Sequence, residues 1–91
     1  MPRGSYKRNV VAVFYGTFQG SRELHKNRGS HPERMVLHCI KHMRKNTYGA
    51  LLAEVFTEGS TKSHAVIKRK INGRVEVLYS ENLDIQRYGD F

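Results

Sequence analysis

Apolar residues gather in four stretches of this chain, and the period within each predicts an element. Asn9 to Tyr15, NVVAVFY, is β-branched or aromatic on both alternating faces. That is the pattern of a strand buried on both sides, and so central in its sheet. Gly16 interrupts it, and Thr17-Phe18 are placed to continue it past a bulge. Gln19 to Gly29, QGSRELHKNRG, is polar with no apolar period and predicts a long loop; a loop of that length in so small a domain is usually functional or mobile.

Ser30 to Asn46, SHPERMVLHCIKHMRKN, is the one convincing helix. Ser30 and Glu33 have the S-x-x-E spacing of a capping box, and Pro32 falls in the first turn, where a missing N–H costs nothing. At 100° per residue Val36, Cys39, Ile40 and Met43 share one stripe, flanked by Met35 and Leu37. Arg34, His38, Lys41 and Lys45 fall opposite, flanked by His42 and Arg44. The basic last turn suits the negative end of the helix dipole, and Asn46 with Gly49 marks its stop.

Tyr48 to Thr57 reads as a second strand, with Leu51, Ala53 and Val55 on one face and Leu52, Glu54 and Phe56 on the other. His64 to Ser80 is a hairpin turning at Asn72-Gly73. A three-residue loop with Gly73 left-handed pairs Ile67 with Val77 and Lys68 with Glu76. It collects Ala65, Ile67, Val75, Val77 and Tyr79 on one face, and this cleaner segregation favours it over a two-residue loop. Glu81 to Phe91 is polar, with Leu83, Ile85, Tyr88 and Phe91 as anchors for a short helical turn at the sheet edge.

The expected fold is a single small α+β domain of order β-α-β-β-β over residues 9–91, preceded by a flexible basic arm at 1–8. One amphipathic helix packs on a mainly antiparallel sheet of about four strands, because its stripe must be buried on something. The second sheet face is then partly exposed, with Phe14, Leu52, Phe56 and Val66 gathered there, and that face or a sheet edge is available for a homodimer.

Composition changes this picture through charge. The 91 residues carry a net charge of +8. Residues 1–45 hold ten Lys and Arg against Glu23 and Glu33, whereas residues 46–91 hold six basic and six acidic groups. The whole excess lies in the first half, which favours a localised contact with nucleic acid, another phosphate-rich ligand or an acidic protein. Cys39 is the only cysteine, which excludes an intramolecular disulfide and a four-cysteine zinc site, and its place on the stripe predicts a buried small hydrophobe. No apolar run approaches the roughly 18–20 residues of a membrane span, and the N-terminus has no segment resembling a signal peptide. A cytoplasmic location is expected.

Candidate chemistry is sparse. His38 and His42 have the i, i+4 spacing of two metal ligands, but the glutamate of H-E-x-x-H is absent and Lys41 and Arg44 repel a cation, so no metal site is assigned. No aspartate precedes residue 84, and Glu54, Glu58, Lys68 and Lys70 form no metal-nuclease pattern. A metal-free RNase using His25, His31 or His64 leaves no spacing signature by which to judge it. There is no phosphate-binding glycine loop and no glycine-flanked nucleophile. The expectation is a non-enzymatic nucleic-acid-binding protein, DNA or RNA, without a cofactor. Lys7, Arg8, Arg22, Lys26, Arg28, Arg34, Lys41, Arg44 and Lys45 would meet phosphates, and Tyr6 or Tyr15 would stack on bases. The alternative is a small intracellular regulator or inhibitor, of the kind viruses encode, acting on an acidic protein surface or by strand addition at a sheet edge.

Overall fold

The computed structural model describes residues 7–80. β1 (Val10–Tyr15), β2 (Glu23–Gly29), α1 (Pro32–Lys45), β3 (Leu52–Thr57), β4 (Ser63–Arg69) and β5 (Val75–Tyr79) follow one another along the chain. The five strands form one antiparallel sheet in the order β2-β1-β3-β4-β5, and α1 lies across one face of it. This is the expected α+β class with one strand more.

The additional strand is β2, in the stretch read as a loop. Its residues are polar on both sides, so neither period shows in the sequence. It is an edge strand, and edge strands tolerate solvated side chains on both faces. Its sequence ELHKNRG alternates between exposed and half-buried positions instead of between polar and apolar ones. Two other boundaries move. β1 ends at Tyr15, with Thr17 to Gly20 turning back, and the irregular pairing falls between Phe14 and Tyr15. β3 begins at Leu52, after a lead-in through Tyr48 to Leu51.

The helix begins one residue later than the capping-box reading. His31 is the N-cap, with extended backbone (φ −121°, ψ 110°) and no side-chain cap bond. Its carbonyl accepts from the Met35 amide at 3.0 Å, and Pro32 occupies the first turn. Proline restricts the residue before it to extended conformations, which assigns the cap to His31 rather than Ser30. At the other end Asn46 is left-handed (φ 58°, ψ 37°), and its amide reaches the carbonyls of His42 and Met43. The helix stop is where the sequence placed it.

The buried stripe is also as expected: Met35, Val36, Cys39, Ile40 and Met43. They pack on Val10, Ala12 and Phe14 of β1, Ala53 and Val55 of β3, Ala65 and Ile67 of β4, and Val75 of β5. Phe14 therefore lies under the helix and not on the outer sheet face. The outer face instead holds Val11, Val13 and Leu52, buried beneath longer neighbours, with Phe56 and Val66 half-buried beside them. β1 is buried on both sides from Val10 to Phe14, in line with its interior place in the sheet. The β4–β5 register pairs Ile67 with Val77 and Lys68 with Glu76, and Gly73 closes the turn at φ 84°, as the three-residue loop requires. The anchors expected between Leu83 and Phe91, and most of the arm, lie outside the described residues.

Burial pushes the Cys39 thiol up to about 12, so it stays a thiol and packs as a hydrophobe. Phe14 is fully buried, and its ring also touches Tyr48 at 4.7 Å and His25 at 6.0 Å. Phe14→Ala should lower unfolding free energy by about 3–5 kcal/mol. Leu78→Ala, on a side chain half exposed, should cost under about 1 kcal/mol. Urea unfolding of both variants checks the contrast, and equal losses would contradict this packing.

Candidate nucleic-acid interface

Only Ser30 and His31 separate β2 from α1. So short a connection turns the chain from the sheet edge directly into the helix, and leaves a groove of about 540 Å³ at the corner. Arg8, Lys26, Arg28 and Arg34 line it, with Asn27, Gly29, Ser30, His31, Met35 and His38. The floor is close-packed. A side chain at Gly29 would bring its Cβ to 2.6 Å from Met35 Cε, so the end of the Met35 side chain would have to shift. Among the described residues, none that lines it is acidic. The positive end of the helix dipole opens onto the same corner.

Two contacts organise the groove's basic side chains. Arg8 Nη2 donates to the carbonyl of Arg28 at 3.1 Å, tying the chain before β1 to β2. Arg28 itself is held by Glu58, with Nη2 to Oε2 and Nη1 to Oε1 both 2.7 Å. The hydrogen bond from Arg28 keeps the Glu58 carboxyl below its ordinary range, and in return holds the guanidinium proton more firmly. Glu58 thus occupies a guanidinium that would otherwise face an anion.

Of the nine residues expected to meet phosphates, Arg8, Lys26, Arg28 and Arg34 line this groove, but Lys26 and Arg28 pair with Val13 and Val11 and so carry their side chains toward the outer sheet face. Lys7 precedes Arg8 and is exposed. Lys41, Arg44 and Lys45 are exposed further along α1, beyond the groove. From Arg34 to Lys45 the helix rises roughly 16 Å, so these extend the basic surface away from the corner. Arg22 stands apart. Its carbonyl accepts from the Gly16 amide at 2.8 Å, and its guanidinium lies over Gly16, at the opposite end of β1. Tyr15 is at that far end too, beside Glu54 and Phe56. Burial, Glu54 and Glu23 together keep its phenol protonated. Base stacking by Tyr15 and phosphate contact in the groove are therefore not one site.

Beside the groove runs a polar cluster that charge counting did not single out. Asn27 Oδ1 is 2.8 Å from His25 Nε2, and Asn27 Nδ2 is 3.0 Å from His38 Nε2. The His25 ring stacks on Tyr48 (4.1 Å, 13°), and His38 meets His42 at 4.3 Å. His42 Nδ1 is 3.0 Å from Thr47 Oγ1. One ring nitrogen of each member of the i, i+4 pair is thus engaged, His38 Nε2 with Asn27 and His42 Nδ1 with Thr47. Among the described residues no three His, Cys, Asp or Glu side chains are grouped to hold a metal ion. The signal for this cluster was the alternation His25-x-Asn27, which has meaning only once β2 is known to be a strand. The three histidines considered for metal-free RNase chemistry are dispersed. His25 is on β2, His31 caps α1, and His64 lies on β4, bonded to Thr57 Oγ1 at 2.6 Å.

No family model, curated protein or solved structure matches this chain. Among the described residues no helix is long and apolar enough to cross a membrane.

Burial lowers the affinity of His38 and of His64 for a proton, and for His38 the neighbouring His42, His25 and Lys41 add to the effect. A base whose folded pKa is depressed leaves the unfolded chain holding more protons. Its contribution is intact above the unfolded value of about 6.5 and is lost as pH falls through the window below it. The urea midpoint should therefore fall between pH 7.5 and 5.5, and His64→Gln should reduce that fall. A midpoint that rises on acidification would contradict these burials.

Proposed function

We propose that this protein is a non-enzymatic nucleic-acid-binding domain that takes the phosphodiester backbone in the groove between β2 and the start of α1. The observation that carries the reading is the groove's lining, where Arg8 and Arg34 stand beside the start of α1 and no carboxylate lines the concavity among the described residues. Surface lysines and arginines are commonplace singly, but a concave site lined by one sign of charge concentrates anions. Lys41, Arg44 and Lys45 continue the track along the helix, and contacts of this kind give affinity without sequence preference. The outer sheet face offers no such bias, since Glu54, Glu58 and Glu76 lie among its basic residues.

Arg8→Glu/Arg34→Glu should weaken binding of a labelled oligonucleotide at least tenfold while leaving the fold intact by circular dichroism. It should also flatten the salt dependence by about 0.7 in log–log slope per lost contact on a single strand. Arg22→Glu, at the far end of β1, should change affinity far less. Equal losses in the two variants would overturn this placement. In the opposite direction, Glu58→Gln frees Arg28 and should tighten binding and steepen the salt slope.

One observation favours a second reading, recognition of protein by strand addition. The Lys70 amide bonds to the Arg74 carbonyl at 2.7 Å, and the Ser80 amide to the His64 carbonyl at 2.7 Å. By antiparallel alternation the backbone groups of residues 74, 76, 78 and 80 then face β4, and those of Val75, Val77 and Tyr79 face outward. β5 is an edge without proline. A second copy placed antiparallel with Val77 opposite Val77 would set each Glu76 opposite a Leu78. Leu78→Glu would oppose like charges twice across that pairing. Sedimentation should show a wild-type dimer that Leu78→Glu weakens, and a wild-type monomer at all concentrations would dismiss this pairing.

A further inference from the structure

The bridge His25–Asn27–His38 lies between the edge strand and the helix, and two of its members, Asn27 and His38, line the groove. A carboxamide has one donor side and one acceptor side. Asn27 Oδ1 therefore accepts from a protonated His25 Nε2, and Asn27 Nδ2 donates to an unprotonated His38 Nε2. In that arrangement His38 is neutral, with its proton on Nδ1. Turning the carboxamide over exchanges the roles: His38 Nε2 donates to Oδ1, and His25 Nε2 accepts from Nδ2. Charging both imidazoles at once would set an N–H against the Asn27 N–H. While the bridge holds, the pair carries at most one positive charge.

We propose that the groove binds a phosphodiester together with one proton, taken up by His38 as Asn27 turns over. The inference rests on the nucleic-acid reading of the groove and adds the proton to it. His38 is the member that receives the charge because it lines the groove, whereas the His25 ring is stacked on Tyr48. The groups around His38 oppose its protonation in the free protein. Lys26 and Arg8 line the same groove from β2 and the chain before β1. Arg34, Lys41 and His42 share its helix, and His31 stands at that helix's start. His25 faces it through Asn27, and Tyr48 touches it only through His25 and His42. Of the acidic groups, Glu33 stands in the first turn of the same helix and Glu58 is held by Arg28. A phosphodiester anion entering the groove reverses that balance. The proton comes from solvent, His38 becomes imidazolium and donates to Asn27 Oδ1, and His25 moves its proton from Nε2 to Nδ1 through water. One proton is gained in all, and no covalent bond changes.

The test measures affinity for a rhodamine-labelled oligothymidylate, whose bases do not titrate in the range, from pH 5.5 to 8.5 at constant ionic strength. Wild-type Kd should fall as pH falls, by up to about tenfold per pH unit in the window where one proton is taken up. His38→Gln should flatten this profile whatever its affinity at pH 8.5, whereas His64→Gln should keep it. Calorimetry of the unaltered protein in buffers of different ionisation enthalpy should report uptake approaching one proton, which decides the matter should His38→Gln fail to fold. Binding with a flat wild-type profile, a profile that survives His38→Gln, or zero proton uptake would overturn the coupling and leave the nucleic-acid reading standing. No binding at any pH would overturn both.

Discussion

The turn from β2 into α1 is the constraint on which the rest of this molecule's chemistry depends. Gly29 ends the edge strand, Pro32 opens the helix, and only Ser30 and His31 lie between. The apolar stripe of α1 must reach the sheet across β1, β3 and β4, so the helix start is pinned beside the strand end. Met35 settling over Gly29 closes the contact. As a result Arg34 from the first turn and Arg8 from the chain before β1 come to one concavity, which Lys26 and Arg28 of the strand also border. Arg8 and Arg34 are distant in sequence and carry like charge. Core burial, not any attraction among them, holds them together. Mutual repulsion of that kind is typical of a site whose stability is supplied elsewhere and whose ligand supplies the missing charge.

The same corner explains the polar cluster. β2 extends past the helix flank, so its inward-facing His25 and Asn27 meet the side of α1 and not its apolar stripe. His25 and Asn27 suit that half-solvated place because they can be satisfied by His38 and by the Tyr48 ring. Buried polar networks need every member partnered. A single carboxamide between two imidazoles achieves this only by linking their protonation. The groove's electrostatics and the packing of the helix flank therefore share one residue, His38.

How much of this was legible from residue order follows from where each signal lives. β1, the stripe of α1 and the β4–β5 hairpin are elements whose buried faces are apolar. Their periods of 2 and 3.6, together with Asn72-Gly73, located them down to the register of Ile67 with Val77. β2 carries no apolar face, because its partners are a neighbouring backbone on one side and solvent on the other, so pattern alone made it a loop. The cap moved from Ser30 to His31 because the restriction proline imposes on its predecessor outweighed the S-x-x-E spacing. For the site, the charge asymmetry was visible as a list of cations. Which of them converge was not, since Arg22 and Arg28 belong to one stretch read as a loop yet lie toward opposite ends of the strand pair. The ion pair that occupies Arg28 joins β2 to the residue after β3, a contact only the three-dimensional pairing creates.

The central claim, that the corner between β2 and α1 is the binding surface, is tested most directly by amide chemical-shift mapping. A ¹⁵N-labelled sample of the whole chain would be titrated with a short oligothymidylate at low salt. The account predicts the largest shifts for Arg8, for residues 26–31 and for Arg34 to His38, with smaller ones toward Lys45 and little change in β4 and β5. Shifts confined to β4, β5 or the outer sheet face, with the corner unmoved, would contradict it.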